Sequence, residues 1–478
     1  MINTAYKNEI PRTFLMKVPA RVAIHYSVFP LEFQSGVLQL MVPEDMPHES
    51  KADLRVTLGL KLAFVTAPRH QIEELITKYY GIGAGVIETL AQEKTSEAEV
   101  FDVEVIDQDQ KEDITITKLV NQLFLDALQH RASDIHIEPF ERSLRIRYRI
   151  DGLLQNARIS EQIRMLAPNL ISRVKIMAKL DIAEKRLPQD GRIKIRQQNE
   201  ELDLRISVLP TTFGEAIVVR ILRPLELLEL ETLGFDEKSI EQTRELLKKP
   251  HGVVLITGPT GSGKTTTLYS YLKELNQTER KIVTIEDPVE YKLHGILQMQ
   301  VNSKIDFTFA RALRSILRHD PDCIMIGEIR DSETAEIAIR SALTGHLVFS
   351  TLHTNDAPSA ITRLVEMGIE PYLVASALQG VIAQRLVRKY CEACRGTSSS
   401  SKIQCEPCGG SGYYGRMAIS EIMPITPEIR ELVFRRTTGS EIRKKASENG
   451  MATLFENGMT KVSLGLTSAE EIQRVIAC

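Results

Sequence analysis

The chain has 478 residues, 43% of them hydrophobic and 26% charged, with 60 Lys+Arg against 63 Asp+Glu and a net charge of −3. At roughly 100–200 residues per domain this is a globular chain of two to four domains. The near-neutral balance, the absence of Trp and 5% aromatics disfavour a nucleic-acid binder, so no nucleic-acid partner is expected. The charge-free stretch at residues 371–384 is far short of the ~20 apolar residues of a membrane helix. The N-terminal sequence has no apolar h-region and no small-residue cleavage site, so a cytoplasmic protein is expected.

In chain order, residues 1–92 read as a small α/β interaction module. Alternating apolar runs at 21–29, 37–42 and 60–65 predict strands, and residues 71–80 a helix. Residues 91–113 hold nine acidic and two basic residues, and 93–113 read as a solvated acidic linker. A second domain, 114–225, opens on a helical pattern at 116–128, with strands at 133–137, 144–150 and 202–208. Within it, residues 173–196 carry eight Lys/Arg against three Asp/Glu, either a solvated face or a basic wall for phosphate. From 226 to 478, apolar runs at 253–256, 281–285, 323–326 and 347–350 alternate with helical patterns at 265–275, 309–318 and 332–343. That alternation predicts βαβ units, a parallel-rich sheet and an overall α/β fold.

The last region carries the chemistry. Gly258, Pro259, Thr260, Gly261, Ser262, Gly263, Lys264 and Thr265 match G-x-x-x-x-G-K-[ST], between a predicted strand and a helix that continues through Thr266. Small residues let the backbone N–H groups turn inward on a phosphate, and the helix N-terminus adds its dipole. Lys264 can reach the β- and γ-phosphates of a bound nucleotide and the Thr265 hydroxyl can ligate Mg²⁺, a layout that alone does not separate a kinase from a hydrolase or a motor. Downstream, Glu286, Asp287 and Glu290 follow the strand at 281–285, where a carboxylate can orient a water or hold hydrated Mg²⁺. The run 320–328 is an apolar strand ending in Gly327-Glu328, a Walker B layout. His346 and His353 flank the next apolar strand, so that one of them can sense the γ-phosphate.

Four of six cysteines form C-x₂-C-x₁₀-C-x₂-C: Cys391, Cys394, Cys405 and Cys408. Two knuckles presenting two thiolates each complete the tetrahedral S₄ set that Zn²⁺ prefers in closed structural sites. A zinc module over 386–414 is therefore expected, with Cys323 and Cys478 outside it.

Taken together, GPTGSGKTTT, TIEDPVEY, DPDCIMIGEIRD and TGHLVFSTLHT occur in the order and spacing of one family. The chain resembles the secretion-superfamily ATPases of the type II secretion and type IV pilus assembly branch. ASDIHIEP, RYRIDGLL and LPTTFGEAIVVRIL resemble that family's second N-terminal domain, and residues 12–90 its first, so the resemblance covers nearly the whole chain. It implies a RecA-like P-loop core preceded by two smaller α/β domains, with a zinc-knuckle insertion and a helical C-terminus. It implies a homohexamer that hydrolyses ATP at the cytoplasmic face of the inner membrane to drive pseudopilus assembly. The partners implied are a bitopic membrane protein, docked through the first domain, and a polytopic platform protein. It also implies roles: Lys264 on phosphate, Glu290 as water-activating base, Glu328 at the Walker B position, His346 and His353 as nucleotide sensors, and Arg205 and Arg220 as arginine fingers. Ala216 departs from the family's usual Arg or Lys, His319 from its common Gln, and the spacer between the cysteine pairs is shorter than usual. Secretion and pilus-extension motors of this family carry the tetracysteine module and retraction motors lack it. The module therefore argues against a retraction motor, while the single short N-terminal module and the length make type II secretion the leading expectation and pilus extension its nearest rival. A DNA translocase and a non-hydrolysing scaffold are further alternatives, the second opposed by the intact Lys264, Glu290 and Glu328.

Overall fold

The computed structural model describes residues 12–81, 103–105, 114–197, 200–222, 229–400 and 405–477. The chain divides into two compact units, Met1–Arg223 and Pro224–Cys478. Most of the acidic linker at 93–113, the connection at 223–228 and the spacer residues 401–404 lie outside the described residues, as does Cys478.

The first unit begins with short helices α1 (Arg12–Leu15) and α2 (Ala20–His25), then β1 (Phe29–Gln34), β2 (Val37–Pro43), α3 (His48–Leu58), β3 (Lys61–Ala67) and α4 (Arg69–Tyr80). The strand expected at 21–29 is thus α2. Its alternation of Val22, Ile24 and Tyr26 was compatible with a strand, but the residues turned inward are the adjacent pair Val22 and Ala23, while Ile24 is exposed. β1 and β2 form an antiparallel hairpin turning at Ser35 and Gly36, both with positive φ, as the favoured two-residue hairpin turn requires. β3 pairs parallel to β2, so α3 is the crossover.

A seven-stranded sheet follows, in the order β4-β8-β9-β10-β5-β6-β7, antiparallel throughout. Its strands are β4 (Val103–Val105), β5 (Asp134–Pro139), β6 (Leu144–Ile150), β7 (Leu153–Asn156), β8 (Gln189–Gln197), β9 (Glu200–Thr211) and β10 (Gly214–Leu222). β4 lies inside the segment expected to be pure linker. There Val103 and Val105 alternate with Glu104, and the strand finds a partner edge in β8. Helices α5 (Ile114–Gln129) and α6 (Ala167–Met177) join the core on one face of the sheet. The alternation Leu202, Leu204, Ile206, Val208 sends these side chains into that core and places Asp203, Arg205 and Ser207 on the opposite face.

In the second unit, α7 (Glu237–Leu247) precedes β11 (Gly252–Thr257), α8 (Lys264–Leu275), β12 (Ile282–Glu286), β13 (Leu297–Gln300), α9 (Phe309–Ile316), β14 (Cys323–Ile326), α10 (Ser332–Leu343), β15 (Leu347–Leu352), α11 (Ala357–Glu366), α12 (Pro371–Ala377) and β16 (Leu378–Tyr390). After the cysteine module with its short helix α13 (Thr397–Ser400) come β17 (Tyr413–Pro424), α14 (Pro427–Phe434), α15 (Gly439–Glu448), α16 (Leu454–Ser463) and α17 (Ala469–Ile476). The strand order is β13-β12-β14-β15-β11-β16-β17, parallel except for the β16–β17 hairpin. Both faces are covered, α7 and α8 packing on one and α9 to α11 on the other. That is why GVVLIT is buried along its whole length instead of alternating. The final helix is held to β16 by Glu471, fully buried, which accepts hydrogen bonds from Arg388 and Arg474.

Candidate nucleotide site

The parallel sheet decides which residues can meet. Ligands bind beyond the C-terminal ends of parallel strands. The loop 258–263 leaves the C-terminal end of β11 and enters α8. Its glycines take positive φ, +152° at Gly258, +79° at Gly261 and +88° at Gly263. The close approach also requires them. A Cβ on Gly258 would stand 2.6 Å from the Gln384 carbonyl oxygen, and one on Gly263 would stand 2.8 Å from the Gln384 amide nitrogen.

Lys264 folds back into this loop. Its Nζ donates to the Gly258 carbonyl at 2.8 Å and the Pro259 carbonyl at 3.0 Å. Burial lowers its pKa to about 8, against the opposing pull of Glu328 and with the help of the Arg385 charge. Loop carbonyls thus hold the ammonium where phosphate oxygens are expected to take their place. Thr265 stands exposed in the first turn of α8.

Glu328 follows β14, two strands from β11, with its side chain largely buried. It pairs with Arg330, and His353 Nε2 lies 3.4 Å from its carboxylate. His353 follows the C-terminal end of β15, so Lys264, Glu328 and His353 come to one end of the sheet. His346 does not. It precedes the N-terminal end of β15, its backbone carbonyl accepts from Gly252 N, and its ring contacts Ser341 and Thr344. Because β15 runs parallel to β11 with Leu347 beside Gly252 and Leu352 beside Thr257, His346 and the phosphate loop occupy opposite edges of the sheet. A sensing role for His346 at this chain's own phosphate loop is therefore corrected. The sequence spacing alone could not show that one strand length separates the two histidines.

The two glutamates of TIEDPVEY are also distinguished. Glu286 is 3% exposed and receives hydrogen bonds from the Tyr269 hydroxyl, Thr284 Oγ1 and Gln298 Nε2. Its oxygens are occupied in the core. Glu290 lies beyond the strand end in the following loop and is only half-buried.

Arg205 and Arg220 belong to the first unit, directly opposite each other on β9 and β10. Arg192 on β8 is opposite Arg205, and Asp134 on β5 is opposite Arg220, whose Nε donates to it at 3.1 Å. Three like charges thus stand in one cross-strand row, where they repel one another, with Asp134 at its end and Asp190 beside it on β8. The row lines a cavity of about 490 Å³.

Gln384 and Arg385 were missed in the sequence. They sit on β16, next to β11, almost fully buried. Gln384 donates to the Ser262 carbonyl at 2.9 Å and accepts from Thr267 Oγ1 at 2.8 Å, bracing both sides of the phosphate loop. Arg385 donates to the Gln384 and Asn355 carbonyls. A polar pair inside a buried apolar run was the available signal, since such residues are buried only with partners.

In the cysteine module, Sγ separations are 3.7 Å for Cys391–Cys405 and 3.8 Å for Cys394–Cys408, with all four sulfurs within 4.8 Å of one another. A tetrahedral ion with Zn–S bonds of ~2.3 Å requires S···S of ~3.8 Å. The donor set and its dimensions fit a metal ion. Hydrogen bonding with Ser398 lowers the Cys394 thiol, favouring the thiolate that metal binding needs.

The family model described as "Type II/IV secretion system protein" matches residues 109–474, and that of the MshEN domain matches residues 7–86. The chain is 44% identical over 94% of its length to the type II secretion system protein E of Xanthomonas campestris pv. campestris, covering 83% of that protein. It is 42% identical over 95% of its length to the type IV pilus assembly ATPase PilB of Myxococcus xanthus, covering 85% of that protein. Among solved structures it is similar to the pilus retraction motor PilT with bound ADP, at 29% identity and a TM-score of 0.51, over 74% of this chain and 95% of that one. With the phosphate loop, the Walker B glutamate and the parallel sheet in place, the chain is an ATP hydrolase of the type II/IV secretion system protein family.

Proposed function

We propose that this ATPase powers a type II secretion system. It would act as a homohexamer at the cytoplasmic face of the inner membrane, where MgATP hydrolysis drives pseudopilus assembly and protein export. The observation that carries the reading is the likeness to type II secretion proteins E over almost the whole chain, supported by a further relative in Dickeya dadantii at 42% identity over 92% of this chain. The near-equal similarity to a pilus assembly ATPase makes pilus extension the second reading. Among the described residues no helix is long and apolar enough to cross a membrane, so attachment would run through membrane partners, the first domain docking on a bitopic protein and the core on a polytopic platform. Deleting the gene in its host separates the readings. Loss of exported enzymes from the medium with surface pili retained supports secretion; loss of pili with export retained supports pilus extension.

Thr265 would ligate Mg²⁺, Glu328 would stand on the metal side and Glu290 would activate water, with the metal supplying Lewis-acid neutralisation of the phosphates. Arg205 and Arg220 would act as arginine fingers; the support is that they stand side by side with Arg192 along one cavity, a cluster of guanidinium groups that can receive an anion. Arg220→Ala or Arg205→Ala is expected to lower kcat at least ~10²-fold with a much smaller change in ATP affinity. Steady-state kinetics with parallel binding titrations check this, and unchanged kcat in both variants would remove the assignment.

The cysteine module would hold one structural Zn²⁺ per chain. Elemental analysis of freshly purified protein should find it. Cys391→Ser should loosen residues 386–414 and what docks on them while the larger core survives, which hydrogen exchange can localise. Zinc-free wild-type protein with an intact module would contradict the assignment.

A further inference from the structure

Tyr269 lies five residues after Lys264 on α8, with its side chain buried. Its hydroxyl hydrogen-bonds Glu286 and receives the Glu290 backbone N–H at 3.4 Å. Thr284 Oγ1 at 2.6 Å and Gln298 Nε2 at 3.1 Å complete the donors around Glu286. All three are neutral, and removing one leaves this buried carboxylate under-satisfied. Gln298 and Gln300, both on β13, also hold the backbone of the following loop. Gln298 accepts from Leu293 N at 2.6 Å and donates to the Tyr291 carbonyl at 2.9 Å, and Gln300 accepts from Val289 N at 3.2 Å. The loop 287–293, which carries Glu290, is thus pinned at four backbone positions by side chains from α8 and β13.

We propose that Tyr269 is a positioning residue for hydrolysis: clamped on Glu286, its hydroxyl ties the helix that follows the phosphate loop to the loop bearing Glu290, and so sets where the Glu290 carboxylate stands. This rests on the reading of Glu290 as the base. The link has a mechanical consequence. α8 begins at Lys264, so a shift of that helix when nucleotide engages the phosphate loop is carried through one hydroxyl to the water-activating group. Tyr271 supplies a matched control. It is fully buried on the same helix, but two residues are about 200° around the axis, and its ring packs against Phe349 at 6.1 Å between centroids, away from the acidic loop.

The test compares Tyr269→Phe, Tyr271→Phe, Glu290→Gln and the double variant Tyr269→Phe/Glu290→Gln in the full chain. Steady-state MgATP turnover is read together with binding of a fluorescent ATP analogue. Misplacing a catalytic group by about 1 Å costs up to ~10²-fold, so Tyr269→Phe should lower kcat ~10- to 100-fold while KM and Kd stay within about threefold. Tyr271→Phe should stay within about twofold of wild type in kcat, and the double variant should lose nothing beyond Glu290→Gln, as residues acting through one group are non-additive. Should Tyr269→Phe fold poorly, the near-isosteric Thr284→Val removes another donor from Glu286 and should show the same split of kcat from KM. A wild-type kcat in Tyr269→Phe with an inactive Glu290→Gln overturns the positioning role alone. A loss in Tyr269→Phe matched by weaker analogue binding, or full loss added on top of Glu290→Gln, also overturns it. Wild-type turnover in Glu290→Gln overturns the base assignment and this role with it.

Discussion

Lys264→Ala abolishes nucleotide-dependent turnover. Lys264 carries the only side-chain charge of the phosphate loop, and its ammonium donates to the Gly258 and Pro259 carbonyls. A triphosphate brings several negative charges to this loop, and within the loop this ammonium is the one side-chain charge that can answer them. Alanine removes both the charge and the donor set, so binding and turnover should fall together. The pH dependence follows from the same burial. The folded lysine titrates at about 8, below its usual range, so it is charged below that pH and neutral above it. Affinity for a non-hydrolysable ATP analogue should therefore weaken as pH rises through about 8, and the slope should vanish in Lys264→Ala. Flat affinity from pH 7 to 9 in the wild type would show that the ammonium stays charged in the free site.

Glu290→Gln gives the contrasting result: ATP stays bound and hydrolysis stops. The amide keeps the size and hydrogen-bonding reach of the carboxylate but cannot take a proton from water. A loss of ~10²–10⁴-fold in kcat with Kd nearly unchanged is expected. Glu286 cannot substitute, because its carboxylate is buried and accepts from three donors already. Glu286→Gln should instead disturb the loop as a whole, by presenting an amide to donors that need an acceptor. Trapped ATP in Glu290→Gln, recovered intact after incubation with Mg²⁺, is the readout. ADP in that fraction at wild-type yield would place the base elsewhere, Glu328 first.

Much of the site was legible because its chemistry is local in sequence. A glycine-rich loop between an apolar run and a helix needs no tertiary information to be recognised, and two cysteine knuckles announce their own geometry. The parallel core was legible for a similar reason, since its buried strands are continuous apolar runs. What sequence could not give is which end of a strand a residue occupies. His346 and His353 frame the same run, LVFSTL, yet only His353 reaches the nucleotide edge. Long-range partners were hidden too. Gln384 braces Ser262 across more than a hundred residues, and Gln298 completes the cage of Glu286 from an edge strand too short to stand out as one. Residues 21–29 failed for the opposite reason, because a short amphipathic segment fits periods of 2 and 3.6 nearly equally and tertiary burial decided between them.

Phosphate release by the purified full-length chain in MgATP, with ATP plus chelator and with Lys264→Ala alongside, tests the ATPase reading most directly. The geometry of Lys264, Glu328 and the loop of Glu290 predicts release that requires the divalent ion and disappears in Lys264→Ala. Release that persists without the ion or without the lysine would contradict it, as would a folded, metal-replete protein that releases none.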